Sequence, residues 1–171
     1  MKRIPILDAD IYSHEALSPD TEATKEILKR YGDIVSQKTG RSFSINRLEL
    51  GNIIFSNAGE KTWLENLLHP IIEKRLNYEL EKVKKMHTIG LVIPLLFEAD
   101  LAYLCSEIWL VYCNTNQQYE RLMNRDKLNF SQAKCRIESQ LPMKHKKKLA
   151  DKIIDNSSKI DLFTKQVNKL F

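Results

Sequence analysis

The chain has 171 residues, 43% hydrophobic and 29% charged, with a net charge of +5 and a pI near 9.0. That composition suits a globular domain with its own core and excludes intrinsic disorder. No apolar run approaches the ~18 residues that span a bilayer, and the stretch after Lys2-Arg3 is too short for a secretory leader.

Three cysteines (Cys105, Cys113, Cys135) have no C-x-x-C spacing, which argues against a disulfide scaffold or zinc site. A reducing cytoplasm is the expected setting. The small basic excess suits a solvated surface or a polyanionic partner.

In chain order, Ile4 to Leu7 reads as a short strand ending in Asp8 and Asp10, with a helical stretch after it. Carboxylates at the carboxyl end of a strand lie where open α/β sheets bind ligands. They can accept a proton, hold a metal, or simply cap a helix. Ser18-Pro19 predicts a helix start that runs to Tyr31-Gly32. Residues 33–47 read as irregular. Asn57 and Glu60 have capping-box spacing ahead of a long apolar stripe from Trp63 to Leu76, which Pro70 should kink or break.

The continuous apolar runs 89–96 and 108–113 predict strands buried on both faces, hence a parallel sheet covered by helices. Helices are predicted over 117–125 and 129–140, a strand over 152–156 and a last helix over 158–170. Strands alternating with helices define an α/β fold.

Arg121, Arg125 and Arg136 sit on two consecutive helices. Their forks match phosphate oxygens, or pair with Glu120, Asp126 or Glu138. The four histidines are scattered, so no metal site is expected. Lys144 to Lys148 carries four lysines, which fit either a charged helix face or a nucleic-acid contact. Gly59-Glu60-Lys61-Thr62 fails as a phosphate loop, because Phe55 and Glu60 stand where glycines are needed.

Taken together, several segments resemble the dephospho-coenzyme A kinase family. They are Ile4 to Asp10, Leu68-His69-Pro70, Ile93-Pro94-Leu95-Leu96-Phe97-Glu98, Arg121 through Arg125-Asp126 to Gln140, and Ile154-Asp155-Asn156-Ser157. They span the whole chain in order. The resemblance implies a P-loop kinase-like α/β fold in one domain over 1–171, with a helical acceptor side over about 14–88 and a lid over about 116–148.

It implies transfer of the ATP γ-phosphoryl group to the ribose 3′-hydroxyl of dephospho-coenzyme A, with ATP and Mg²⁺ as cofactors. Asp10 would be the base, with Asp8 supporting the pocket. Arg121 would meet the phosphates, aided by Arg125 and Arg136. His69, Pro94 and Leu95 would border the acceptor, and Asn156 the ATP base. No nucleic-acid or membrane partner is expected.

The chain departs from the family in two ways. His14 replaces an arginine, and no G-x-x-x-x-G-K-[ST] loop precedes Asp8. A truncated N-terminus is therefore expected, with low activity as written and a gap between the 89–93 and 108–113 strands of a single sheet. A non-catalytic acceptor-binding remnant is the alternative, and a basic nucleic-acid-binding module a weaker one.

Overall fold

The structure, a computed structural model, describes residues 4–39 and 42–170; the Lys2-Arg3 opening lies outside them. It divides into two compact units, Met1–Pro94 and Leu95–Phe171.

The first unit opens with β1 (Ile6–Asp8), which runs straight into α1 (Ala9–Ala16). Asp8 makes that junction: its Oδ1 accepts the Asp10 N–H at 2.9 Å, capping the helix. α2 (Glu22–Tyr31) starts three residues later than Ser18 predicted, because Thr21 is its cap. Thr21 Oγ1 accepts from the Thr24 N–H at 3.2 Å and donates to the Ala16 carbonyl at 2.7 Å, so it also ties α2 to the end of α1. Gly32, at φ 58°, stops α2 where the sequence predicted.

Residues 33–47 are not irregular. They hold a 3₁₀ turn (Gly32–Ile34) and an antiparallel hairpin of β2 (Ser36–Thr39) and β3 (Ser42–Ile45). The hairpin's polar composition hid it. Its anchors, Val35 and Ile45, are buried in a core with Ile27, Leu50, Leu64 and Leu68.

α3 (Arg47–Ser56) is capped by Asn46, and α4 (Ala58–Val83) by Asn57. α4 runs 26 residues through Pro70 without breaking. Pro70 and Asn66, whose carbonyl loses its bond, both lie on exposed positions, where water can replace the missing donor. Gly59 to Thr62 form the first turn of α4, not a loop.

The expected capping box there is only half made. Glu60 reaches not to Asn57 but to α2, accepting from Arg30 Nε (2.8 Å), Arg30 Nη2 (3.0 Å) and the Tyr31 hydroxyl (2.6 Å). The Arg30 guanidinium stacks 4.5 Å from the Trp63 ring. Arg30 and then Tyr31 hold the Glu60 carboxyl down to about 2, against 4.5 ordinarily. A depressed carboxyl stabilises the fold above its unfolded pKa and loses that contribution as pH falls toward its folded one. The melting temperature is therefore expected to drop between about pH 4.5 and about pH 2, and Glu60→Gln to flatten that part of the profile. A thermal melt series across this range checks it.

β4 (Gly90–Val92) pairs parallel with β1, Ile6 opposite Gly90 and Asp8 opposite Val92. It is shorter than its apolar run, since Pro94 leaves the ladder. Residues 94–100 form turns, with the Ala99 N–H on the Leu95 carbonyl at 2.9 Å.

In the second unit, β5 (Trp109–Tyr112) pairs parallel with β6 (Lys152–Asp155). Between them lie α5 (Thr115–Asp126), α6 (Phe130–Glu138) and α7 (Met143–Leu149), and α8 (Ile160–Asn168) closes the chain. The predicted capping box of α6 is complete, with Asn129 and Gln132 reciprocally bonded. The parallel pairing is as expected. The four strands pair as two two-stranded ladders, one in each unit, and β4 does not pair with β5, in keeping with the gap expected between those runs. The strands are not buried on both faces: Ile6, Val92, Val111 and Ile153 are 60%, 43%, 51% and 46% exposed.

Candidate functional site

In the first unit, the β1–α1 junction gives the two aspartates different work. The Asp8 carboxylate is spent on the helix cap. Asp10, in the first turn of α1, is exposed at the carboxyl end of a parallel strand.

Further along α1, the buried Tyr12 and the exposed Glu15 meet Arg75 of α4. The Arg75 guanidinium lies 5.2 Å from the Tyr12 ring, its Nε donates to Glu15 at 3.0 Å, and Nη1 bonds Glu79. Burial first, then Glu79, pushes the Tyr12 phenol above its ordinary value. A cleft of about 540 Å³ opens beside this cluster, lined by Tyr12, Ala16, Pro70, Ile71, Lys74 and Arg75 among others. That volume suits a small-molecule ligand. His69 precedes the cleft residues on α4 and is half-buried.

Sequence reading missed Tyr12 and Arg75, although Arg75 sits four residues before Glu79, a readable i, i+4 pair. It also missed Arg47. His14 stands where the resemblance puts an arginine, and its ring nitrogen Nδ1 meets Arg47 Nη1, while Arg47 Nη2 donates to the His14 carbonyl at 3.4 Å. A guanidinium therefore reaches that place from α3.

In the second unit, Arg121 and Asn156 come together: Arg121 Nη2 donates to the Asn156 carbonyl at 2.9 Å. Gln117 Nε2 fixes the same turn, donating to the Ser157 carbonyl at 2.7 Å. Arg125 and Arg136 also meet, through Asp126, which accepts from Arg125 Nε at 2.7 Å and Arg136 Nη1 at 2.6 Å. The Arg125 bond and both charges keep the Asp126 carboxyl below its usual range. Asp126 thus gathers the two arginines at one place on the α5–α6 pair.

Pro94 ends the first unit and Leu95 opens the second, within the turns that follow β4. The lysine run is not a uniform basic face. Lys146 is 5% exposed and bonded to Glu98 at 2.7 Å, and Lys147 Nζ lies 3.2 Å from the Tyr112 ring centroid. Among the described residues, no group of three or more acids, histidines or cysteines is placed to hold a metal, and no helix is long and apolar enough to cross a membrane.

Parallel strands with helical crossovers, a carboxylate at a strand's carboxyl end and arginines on a helical pair define a kinase-like α/β protein. The comparisons narrow this class. The sequence profile described as dephospho-CoA kinase matches residues 2–161. A dephospho-CoA kinase of Prochlorococcus marinus (strain SARG) is 57% identical over 99% of this chain and 81% of its own length. A Synechocystis dephospho-CoA kinase is 42% identical over 97% of this chain and 81% of its own. The crystal structure of a Thermus thermophilus protein superposes with a TM-score of 0.72 at 26% identity, covering 98% of this chain and 83% of that one. Dephospho-CoA kinase from Campylobacter jejuni superposes with a TM-score of 0.66 at 28% identity, over the same shares. The chain belongs to the dephospho-CoA kinase family, whose members are ATP-using phosphotransferases.

Proposed function

We propose that this protein phosphorylates the ribose 3′-hydroxyl of dephospho-coenzyme A in the cytoplasm, with Asp10 as general base. The observation that carries the assignment is the division of labour at β1–α1: Asp8 is occupied as a cap, while Asp10 is exposed. Asp10 takes the hydroxyl proton as the 3′-oxygen attacks the γ-phosphorus. The bond from that phosphorus to the β–γ bridging oxygen breaks, and ADP leaves. The charge spread over the moving phosphoryl group calls for cations. Arg121 supplies one, held in orientation by the Asn156 carbonyl. Arg125 and Arg136 add positive charge, and Asn156 borders the ATP base.

Mg²⁺ would neutralise phosphate charge. It is commonly held largely by substrate phosphates and water. On the acceptor side, the cleft beside Tyr12 and Arg75, with His69 and Pro94 of the same unit, would hold dephospho-coenzyme A.

The 171 residues contain no G-x-x-x-x-G-K-[ST] sequence, so the amides and lysine that cradle the β- and γ-phosphates must be supplied in addition. A coupled ADP-release assay tests this reading. The 171-residue polypeptide alone is expected to turn over well below ~1 s⁻¹. A form with a phosphate loop ahead of β1 is expected to fall within the roughly 1–100 s⁻¹ usual for kinases. Comparable turnover by both forms would overturn the need for the loop. No turnover by either, with dephospho-coenzyme A still binding, would favour the non-catalytic reading.

A further inference from the structure

The segment Ile93 to Glu98 ends in a carboxylate that the mechanism does not use, and the lysine run contains one buried member. These two residues meet. Glu98 Oε1 accepts from Lys146 Nζ at 2.7 Å and from the Leu141 backbone N–H at 2.9 Å. The side chains are 7% exposed at Lys146 and 12% at Glu98. Glu98 Oε2 is buried and has no hydrogen-bond partner among the described residues. Burying two charges is costly, and it is tolerated only where the pair is well bonded. A carboxylate with one oxygen doubly engaged and the other idle is a poor choice for stability alone.

Its place in the chain suggests what it does. The arginine-bearing helices α5 and α6 are tied at their start by Gln117 to the Ser157 carbonyl and by Arg121 to the Asn156 carbonyl. At their far end, Leu141 follows α6 and Lys146 lies on α7. Glu98 grips both. Between the two fixed ends lies the Arg125–Asp126–Arg136 cluster, which turns at Lys127 with φ 56°.

We propose that Glu98 and Lys146 are positioning residues. They fix the α6–α7 hinge through the Leu141 backbone and so set where Arg125 and Arg136 present their charge. This rests on the phosphate-binding role given to those arginines above. The short connection between two helices is where a backbone change would otherwise be absorbed, and a buried ion pair that also holds one of its backbone N–H groups restrains it there.

Amide hydrogen exchange on the intact 171-residue chain tests it. Single substitutions leave a lone buried charge and threaten folding, so the informative variants remove both charges. Glu98→Leu with Lys146→Met takes away the pair and the Leu141 acceptor. Glu98→Gln with Lys146→Met removes the charges but keeps an acceptor for Leu141. The first is expected to exchange about tenfold or more faster over 136–143, with β6 unchanged; the second is expected to recover much of that protection.

Exchange at the hinge within about threefold of wild type in the first variant would overturn the proposal. So would an equal rise in β6, which marks plain loss of stability. Adding Mg-ATP to the same variants in a form that carries a phosphate loop ahead of β1 separates the two layers. Wild-type α6 is expected to gain protection that Glu98→Leu with Lys146→Met loses. Equal protection of both refutes the positioning role. No protection of wild type counts against the arginines' role in phosphate binding, while the ligand-free comparison still decides the hinge.

Discussion

Asp10→Asn is expected to lower kcat by about 10²–10⁴-fold in a form of the chain that carries a phosphate loop, with ATP affinity nearly unchanged. Asparagine keeps the size and the hydrogen-bonding groups but cannot take the 3′-hydroxyl proton. The position is solvent-exposed on the first turn of α1, so the substitution costs little packing. Asp8→Asn is the control. Asparagine caps a helix as well as aspartate does, and the Asp8 oxygen is already committed to the Asp10 N–H. That variant should keep most of its activity. If Asp10→Asn retains more than about a tenth of wild-type kcat and Asp8→Asn does not, the base is Asp8 and the capping geometry has misdirected the assignment.

Arg121→Ala should behave differently. In the proposed role its charge meets phosphate in the ground state as well as in the transition state, so both ATP affinity and turnover are expected to fall. Losing one preorganised donor from a phosphoryl-transfer site costs on the order of 10²–10³ in kcat. Arg121→Lys should not rescue it, because a lysine lacks the fork that can bond phosphate while another arm stays on the Asn156 carbonyl. Steady-state kinetics with ATP varied separate the two components. A rise in the KM for ATP with kcat intact would confine Arg121 to binding.

Much of the fold was legible where local rules and burial agree. The strand at 108–113, the last strand at 152–156 and the capping box at Asn129 all stand where the sequence placed them. Local patterns misled where a longer-range contact won. Ser18-Pro19 carries a good start signal, yet Thr21 caps α2 because its hydroxyl can also reach the Ala16 carbonyl. Glu60 has capping-box spacing but pairs with Arg30, thirty residues away in sequence. The β2–β3 hairpin was invisible because its strands are mostly polar and, among the described residues, its buried anchors are Val35 just before β2 and Ile45 at the end of β3.

The candidate site divides in the same way. Asp8, Asp10 and the arginines were readable as types at positions. Which aspartate was occupied, and that Asp126 gathers Arg125 with Arg136, required side-chain geometry. Arg75 and Arg47 were overlooked because the contacts that matter, on Glu15 and His14 of α1, cross between helices; the pairing of Arg75 with Glu79 along α4 reads as routine surface charge. The lysine run misled for the opposite reason: composition suggested a solvated face, but burial placed Lys146 against Glu98.

The position of the transferred phosphate tests the central claim most directly. Dephospho-coenzyme A is incubated with Mg-ATP and the loop-bearing chain, and the product is read by phosphorus NMR and mass spectrometry. The account predicts phosphate on the ribose 3′-oxygen, ADP formed in equal amount, and no product from the 3′-deoxy acceptor. ATP consumed with the acceptor unmodified, or phosphate on any other oxygen, would contradict it.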